Sequence, residues 1–383
     1  MYNPFNPNLP ADARFFANRK EYIERFERLI LPSYDQDSAG VRNVAIIGPW
    51  GIGKTSLAYY LKVILEKQKA PVVPVYISCT TGYGSLYNLA QRMVSSIVET
   101  VAAQGKWKKP ILDELNAWHL EIRTPFFTAS RQEKSQMQAA SVADLLERHL
   151  GKLWNGFLRE ANLSVMIVLD DAHALFDLDP NAMLVFRAVF QDLHLAGARF
   201  GLVVTGQETL IKTLREVAES TSRFFEHWSL KAFIRDDLRD VVSEPIQYTH
   251  AGFTVQDDAV DWLMEITEGH PYFVSFILQD WYESAVFHKL KGIDREYAAR
   301  TWTELRDHLE REKFEFDWEH ATVSERESLR AMAQEPVWEN KGAINTGRLN
   351  TLLKKNLIAR LERGTYELYH PLFRDFVLRT KFG

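Results

Sequence analysis

A single cysteine, Cys79, stands among the 383 residues. That excludes an intramolecular disulfide framework and a multi-cysteine zinc site. No apolar run approaches the roughly 18 residues that a membrane-crossing helix needs. The opening stretch MYNPFNPNLP has no basic flank and no apolar centre, so no secretory signal is expected and a cytoplasmic location is. A dominant charge sign is missing too. The 46 Lys/Arg and 51 Asp/Glu leave −5, too little to draw the whole chain onto nucleic acid. Internal repeats are absent as well. What remains is an ordinary globular composition, 46% hydrophobic and 25% charged. The length suits two or three domains at roughly 150 residues each, with a core that needs no staples.

The charge is unevenly spread. Residues 320–383 hold 11 Lys/Arg and 7 Asp/Glu, so the remainder carries −9. The first 18 residues, rich in Asn and Pro, read as an extended arm. A helix is expected from Lys20 to Leu31, with Tyr22, Phe26 and Leu29 on its inner face. Short continuous apolar runs then recur: VAIIG (44–48), VVPVYISC (72–79), VMIVL (165–169) and FGLVV (200–204). Each reads as a strand buried on both faces, with Pro74 pushing the second toward a sheet edge. Helical periodicity fills the intervals, with Leu57, Leu61, Ile64 and Leu65 on one face after Lys54. Further helices are expected at 84–103, 141–158 and 181–195. Alternating strands and helices mean a parallel α/β sheet with right-handed crossovers. Residues 104–138 read as an insertion holding a short helix and the extended-looking EIRTPFF. The expected divisions are an arm and helix at 1–40, a core at 41–230, a mostly helical part at 231–319 and a C-terminal module at 320–383.

The sharpest motif is GPWGIGKT at 48–55, which matches GxxxxGK[ST] between a strand and a helix, the context that such a loop requires. Gly51 and Gly53 let the backbone curl so that N–H groups point inward at phosphate oxygens. The helix N-terminus adds its dipole. Lys54 would reach the β and γ phosphates, and the Thr55 hydroxyl would ligate magnesium. Gly48, Trp50, Ile52 and Ser56 complete the expected phosphate cradle. VMIVLDDAH (165–173) places two carboxylates at the carboxyl end of a buried strand, the edge where open parallel sheets bind ligands. Asp170 would hold magnesium and Asp171 would orient the attacking water; read alone, both are turn residues after a strand. His173 is either a phosphate contact or a structural histidine.

Thr205 follows the FGLVV strand, where a hydroxyl can sense the γ phosphate. Arg223 is either an arginine finger for a neighbour's ATP or a solvated, salt-bridged arginine. In EGHPYF (268–273), Gly269 can end one helix and Pro271 suits the first turn of the next. His270 then sits at a helix N-terminus where phosphate would favour it; plain helix punctuation accounts for the same pattern. TGRLNTLLKKN (346–356) reads as a helix with Leu349, Leu352 and Leu353 inward and Arg348, Lys354 and Lys355 outward. IARL and YELY flank ERG as a two-stranded wing. Such a helix and wing can dock on DNA through Arg348, Lys354, Lys355, Arg360 and Arg363.

These pieces in this order resemble the AAA+/STAND superclass of P-loop ATPases, especially the archaeal-type ATPase group and its origin-recognition relatives. NPFNPNLPADARFFANRKEYIERF resembles the N-terminal box that lies over the adenine; Asn18 stands where that box has glycine, and Arg19 is kept. GPWGIGKT and VMIVLDDAH resemble Walker A and Walker B, EGHPYF the GxP motif of a helical lid, and residues 320–383 a winged helix closing on YELYHPLFRDFV. The resemblance implies an α/β P-loop NTPase core with a parallel sheet, followed by a helical lid and a winged-helix domain. It implies ATP and Mg as cofactors, with Arg19, His270 and Pro271 beside the nucleotide. The expected function is an ATP-binding, ATP-hydrolysing switch of STAND/AAA+ type, with ATP/ADP as ligands and homo-oligomers in view. In STAND-type switches the winged helix packs on the lid, and the partner is a protein. The alternative is a DNA-associated AAA+ ATPase, an initiator-like loader or transposition regulator. A nucleotide-binding scaffold without turnover is a third possibility.

Overall fold

The four apolar runs and one further segment, Phe225–Ser229, become the strands of one parallel sheet. In the computed structural model, which describes the backbone of residues 2–80, 82–104, 107–123, 134–217 and 223–380, β1 spans Asn43–Ile47, β2 Val72–Ser78, β3 Ser164–Asp170, β4 Phe200–Gly206 and β5 Phe225–Ser229. Their order is β2-β3-β4-β1-β5, and every pairing is parallel. β1, β3 and β4 are buried along their whole length, which is why their sequences are continuous apolar runs rather than alternating ones. β2 carries Pro74 and lies at the edge, where a missing ladder donor is tolerated. The carboxyl ends of β1, β3 and β4 share one edge of the sheet. There the 48–55 loop, the Asp170–Asp171 pair and Thr205 follow in turn.

This sheet belongs to the first of two units, residues 19–48 and 53–231. Leu57, Leu61, Ile64 and Leu65 of the helix Lys54–Lys67 are all buried. The first helix departs from expectation. It is α-helical over Lys20–Arg25, widens to a π turn over Phe26–Ile30 and tightens over Leu31–Tyr34. The wider turn shifts the inner face by one residue, so Ile30 is buried and Leu29 is 43% exposed. Within 104–138, Lys109–Arg123 is one 15-residue helix. Glu121–Arg123 is therefore helical rather than extended, while the rest of EIRTPFF lies outside the described residues. Its Leu115 and Trp118 are buried. Trp118 stacks on His149 with ring centroids 5.6 Å apart, and its Nε1–H donates to His149 Nδ1 at 3.2 Å. The insertion is thus part of the core beneath the helix Lys134–Leu153, which begins seven residues before the expected start at 141.

The second unit is residues 1–18, 49–52 and 232–383. The helices Arg235–Tyr248, Asp257–Thr267, Pro271–His288 and Arg295–Leu309 form its first part, beside a small parallel pair, β6 Thr254–Val255 and β7 Gly292–Ile293. The arm docks on these helices. Phe5 is buried edge-on to Tyr282, Phe15 packs edge-on to Tyr248, and Asn3 Nδ2 donates to the Gln279 carbonyl at 3.0 Å. A winged helix follows, with helices Val323–Ala333, Thr346–Lys354 and Pro371–Arg379. Its wing is β8 Trp338–Glu339, β9 Ile358–Glu362 and β10 Thr365–Leu368, in the order β8-β10-β9. The hairpin turns at Gly364, whose φ of 89° favours glycine; the third strand carries no signal of its own in two residues.

The basic face of this winged helix is smaller than its sequence suggests. Lys355 does not point freely outward. Its Nζ is 2.7 Å from Glu325 Oε2 and donates to the His320 carbonyl at 2.9 Å. Glu325 is the buried capping-box residue of the helix Val323–Ala333, so it needs a cation beside it. Arg348 NH1 lies 3.3 Å from Ser328 Oγ, Arg374 donates to the Ala333 carbonyl at 2.7 Å, and Arg379 pairs with Glu310. Lys354, Arg360 and Arg363 remain exposed.

His370 ties the winged helix to the lid. It is the N-cap of Pro371–Arg379: Nδ1 accepts from the Leu372 N–H at 3.1 Å, and Nε2 donates to the Thr267 carbonyl at 2.9 Å. A ring with one accepting nitrogen is neutral, and burial pulls its pKa down to about 4 against the favourable Thr267 bond. The unfolded imidazole takes a proton near pH 6.5, the folded one only near 4. Stability therefore falls as pH drops between them. Between pH 6.5 and 5 this group should cost about 2 kcal/mol. Urea unfolding at both pH values should show that loss in the wild type and its absence in His370→Asn. An equal pH dependence in the two proteins would refute the assignment.

Candidate functional site

The sheet unit brings three of the expected residues together. The Thr55 hydroxyl, in the first turn of Lys54–Lys67, lies 3.0 and 3.1 Å from the two Asp170 carboxylate oxygens. Thr205 Oγ1 donates to Asp170 Oδ1 at 2.5 Å and accepts the Asp171 N–H at 2.9 Å. Tyr76, one strand over on β2, donates its phenol to Asp170 Oδ2. Asp170 is buried, and three hydroxyl groups satisfy its charge, as a buried carboxylate requires. Thr205 is itself fully buried, with its hydroxyl turned to the acid pair rather than outward.

Lys54 is buried, and burial pulls its amine down to about 8 although Asp171 and Asp170 favour the charge. Asp171 has a left-handed backbone, φ 54° and ψ 45°, a conformation that Asp tolerates better than most residues. This turns its side chain out of the strand. Burial and the Asp170 charge raise its carboxyl, opposed by His173 and Lys54. His173 Nδ1 is 4.0 Å from Asp171 Oδ1. Burial raises the Tyr76 phenol, followed by its bond to Asp170, so Tyr76 stays a donor. Cys79 beside this edge is buried and its thiol is pushed up to about 12, an unreactive state.

Gly48 N–H bonds the Gly206 carbonyl at 3.2 Å, tying the start of the loop to β4. Gly51 and Gly53 take φ values of 71° and 92°, so both need glycine. The loop tip, residues 49–52, belongs to the lid unit. There a Cβ on Gly51 would stand 2.9 Å from His270 Cε1 and from Tyr272 Cβ. Ile52 is buried. The Trp50 ring packs 4.5 Å from Tyr272 and 4.0 Å beneath Lys313 Nζ, and the Trp50 carbonyl is 3.0 Å from His270 Nε2. Pro271 opens the helix after His270, and Glu268 and Gly269 end the preceding one with φ of 49° and 70°. Ser56 follows Thr55 on the same helical turn, half-buried.

Arg19 donates to the Lys231 carbonyl at 2.8 Å. Asn18 replaces the expected glycine and takes φ 71°; asparagine adopts this left-handed state more readily than other side chains, so the turn is kept. Arg223 is exposed just before β5. In a parallel sheet that is the edge opposite the carboxyl ends, away from Asp170 and Thr205 of the same chain. Sequence reasoning missed Tyr76, Lys313, Asp317 and His370. Tyr76 alternates with buried Val75 and Ile77, so period two marks it as facing away from the core; the others carried no separate signal.

Against this geometry, comparison with known proteins is decisive. Residues 39–214 match the AAA domain family. The match spans the sheet core and less than half of the chain. Among solved structures, the Aeropyrum pernix ORC2 protein is similar at 15% identity and TM-score 0.63, over 98% of this chain and 95% of that one. A Walker-type ATPase of Pyrococcus abyssi matches at 16% identity and TM-score 0.54, over 95% and 96%. The Aeropyrum pernix ORC1 protein, solved in complex with DNA, matches at 15% identity and TM-score 0.54, over 95% and 92%. The chain thus has the fold of the archaeal origin-recognition proteins. The hydroxyl and carboxylate oxygens of Thr55 and Asp170 suit a hard divalent cation. When bound, magnesium neutralises phosphate charge. No helix among the described residues is long and apolar enough to cross a membrane.

Thr205→Val keeps the shape of the buried side chain but removes one donor to Asp170 and the acceptor for Asp171 N–H. It should cost about 1–3 kcal/mol, read as a lower urea midpoint, while Thr205→Ser should retain most of the stability. A Val variant as stable as wild type would mean that this hydroxyl supports nothing.

Proposed function

We propose that the chain is an ATP-driven switch, in which the nucleotide state of the 48–56 loop sets the state of the lid and winged helix. Residues 41–230 act as the ATPase core, 231–319 as the lid and 320–383 as the winged helix. Lys54 faces the β and γ phosphates, Thr55 and Asp170 hold magnesium, and Asp171 orients water. Gly48, Trp50, Gly51, Ile52, Gly53 and Ser56 line the phosphates, with Arg19, His270 and Pro271 on the adenine and lid sides. Arg223, on the far edge of its own sheet, acts only on a neighbouring copy.

One observation carries this reading: Trp50, inside the phosphate loop, is partly buried and packs against the core of the lid unit. Lys313 above its ring donates to Asp317 Oδ1 at 2.7 Å, and the Tyr369 hydroxyl donates to Asp317 Oδ2 at 2.8 Å. Loop, lid and winged helix meet in one chain of contacts, with Asp317 buried at its centre. A loop that closes on phosphate moves Trp50, and this network passes the shift to Tyr369 and the helix after it. Lys313→Met removes the cation but keeps the stem. It should leave ATP affinity unchanged and abolish the ATP-dependent change in hydrogen exchange over Pro371–Arg379, whereas Lys54→Ala should abolish tight ATP binding itself. An intact exchange response in Lys313→Met would sink the proposed route.

Exposed Lys354, Arg360 and Arg363 support a second reading, DNA contact through the winged helix, in line with a similar fold solved in complex with DNA. Three phosphate contacts give a log–log salt slope of about −3, and Lys354→Glu with Arg363→Glu should flatten it by about two. Lys355→Glu should instead destabilise the fold, since it leaves buried Glu325 facing another acid. Anisotropy with duplex DNA at several salt concentrations, with ATP, ADP or neither, decides. No binding at low salt in any state leaves a protein as the partner.

A further inference from the structure

The sheet order puts β3 between β2 and β4, so Asp170 has one neighbouring strand on each side. Each supplies a hydroxyl. From β4, Thr205 reaches Oδ1 at 2.5 Å; from β2, Tyr76 reaches Oδ2. The residue level with Asp170 on β2 is Ser78, and Tyr76 pairs with Val168. Tyr76 must therefore span two residues along the strand, about 6.6 Å. A phenol covers that distance and a serine or threonine hydroxyl does not. The ring of Tyr76 is 38% exposed, so packing alone does not account for a large aromatic there.

We propose that Tyr76 is a positioning residue for the metal-binding carboxylate, clamping Asp170 from β2 as Thr205 does from β4 and leaving its third side for magnesium. The inference rests on the reading of Thr55 and Asp170 as the magnesium pair. Thr55 shares one hydroxyl proton between both carboxylate oxygens, at 3.0 and 3.1 Å. It is the straddling contact, and on that reading it marks the side of the cation. The two clamps are one-to-one and act on different oxygens. An aspartate otherwise turns broadly about its terminal torsion, which would exchange the oxygen facing Thr55. Donors fixed on both sides remove that freedom. Loss of such an outer partner typically costs 10–100-fold in metal affinity.

The test is binding of a fluorescent ATP analogue by anisotropy, first in EDTA and then with magnesium titrated in, for wild type and Tyr76→Phe. The Phe variant keeps the ring and loses the donor. Its metal-free affinity for the analogue should match wild type, while its magnesium half-point should rise by about tenfold. At saturating magnesium its kcat should recover. A purely structural role would lower both affinities and the melting temperature together, and that outcome overturns the inference. Equal magnesium half-points overturn it as well. A wild-type protein whose analogue binding ignores magnesium would instead overturn the assignment of Thr55 and Asp170, and the inference with it.

Discussion

The buried carboxylate of Asp170 is the constraint around which the sheet unit is built. A charge taken out of water needs donors on every open side. Here they come from the loop helix through Thr55, from β2 through Tyr76 and from β4 through Thr205. None can move without leaving the carboxylate undersatisfied. The strand order follows the same requirement, because only a central strand has two neighbours to supply side-chain donors. The Thr205 hydroxyl does double duty by accepting the Asp171 N–H, which holds Asp171 in its left-handed turn. Positioning of the second acid thus depends on the first.

The lid unit repeats the logic around Asp317. Its two oxygens take Lys313 and Tyr369, and Lys313 in turn lies over Trp50. A cation held over an indole while paired to a buried carboxylate is tied at both ends. Trp50 is therefore fixed twice, through its ring and through its carbonyl at His270. Such a clamp suits a loop residue whose displacement has to be transmitted rather than absorbed.

The parallel sheet was legible because burial on both faces forces continuous apolar runs, and the phosphate loop because its glycines sit at positive φ. The core strands and the helix Lys54–Lys67 followed from those two facts. Leu29 misled because a π turn changes the helical period without changing composition. The insertion misled because, among its described residues, only Leu115 and Trp118 are buried. Tyr76 escaped because a hydroxyl donor across strands depends on sheet order, and strand order is not written in any one segment. Asp317 and Lys313 look like a solvated i, i+4 pair until Tyr369, more than fifty residues later, closes over them.

Charge counting failed for a related reason. The segment from Lys341 to Lys381 holds nine Lys/Arg against three acids, which suggests a broad cationic field. Folding spends much of it. Lys355 neutralises buried Glu325, Arg379 pairs with Glu310, and Arg374 and Arg348 bond neighbouring oxygen atoms. Glu325 is buried because it caps its own helix, so its charge had to be matched from a later element. Lys354 at the helix end, Arg360 on β9 and Arg363 at the hairpin turn stay exposed, as does Lys341 beside Glu339. A partner that reads this surface meets fewer free cations than the count of nine suggests. The placement of those few cations, more than the net charge, then sets where phosphate or carboxylate groups can be met.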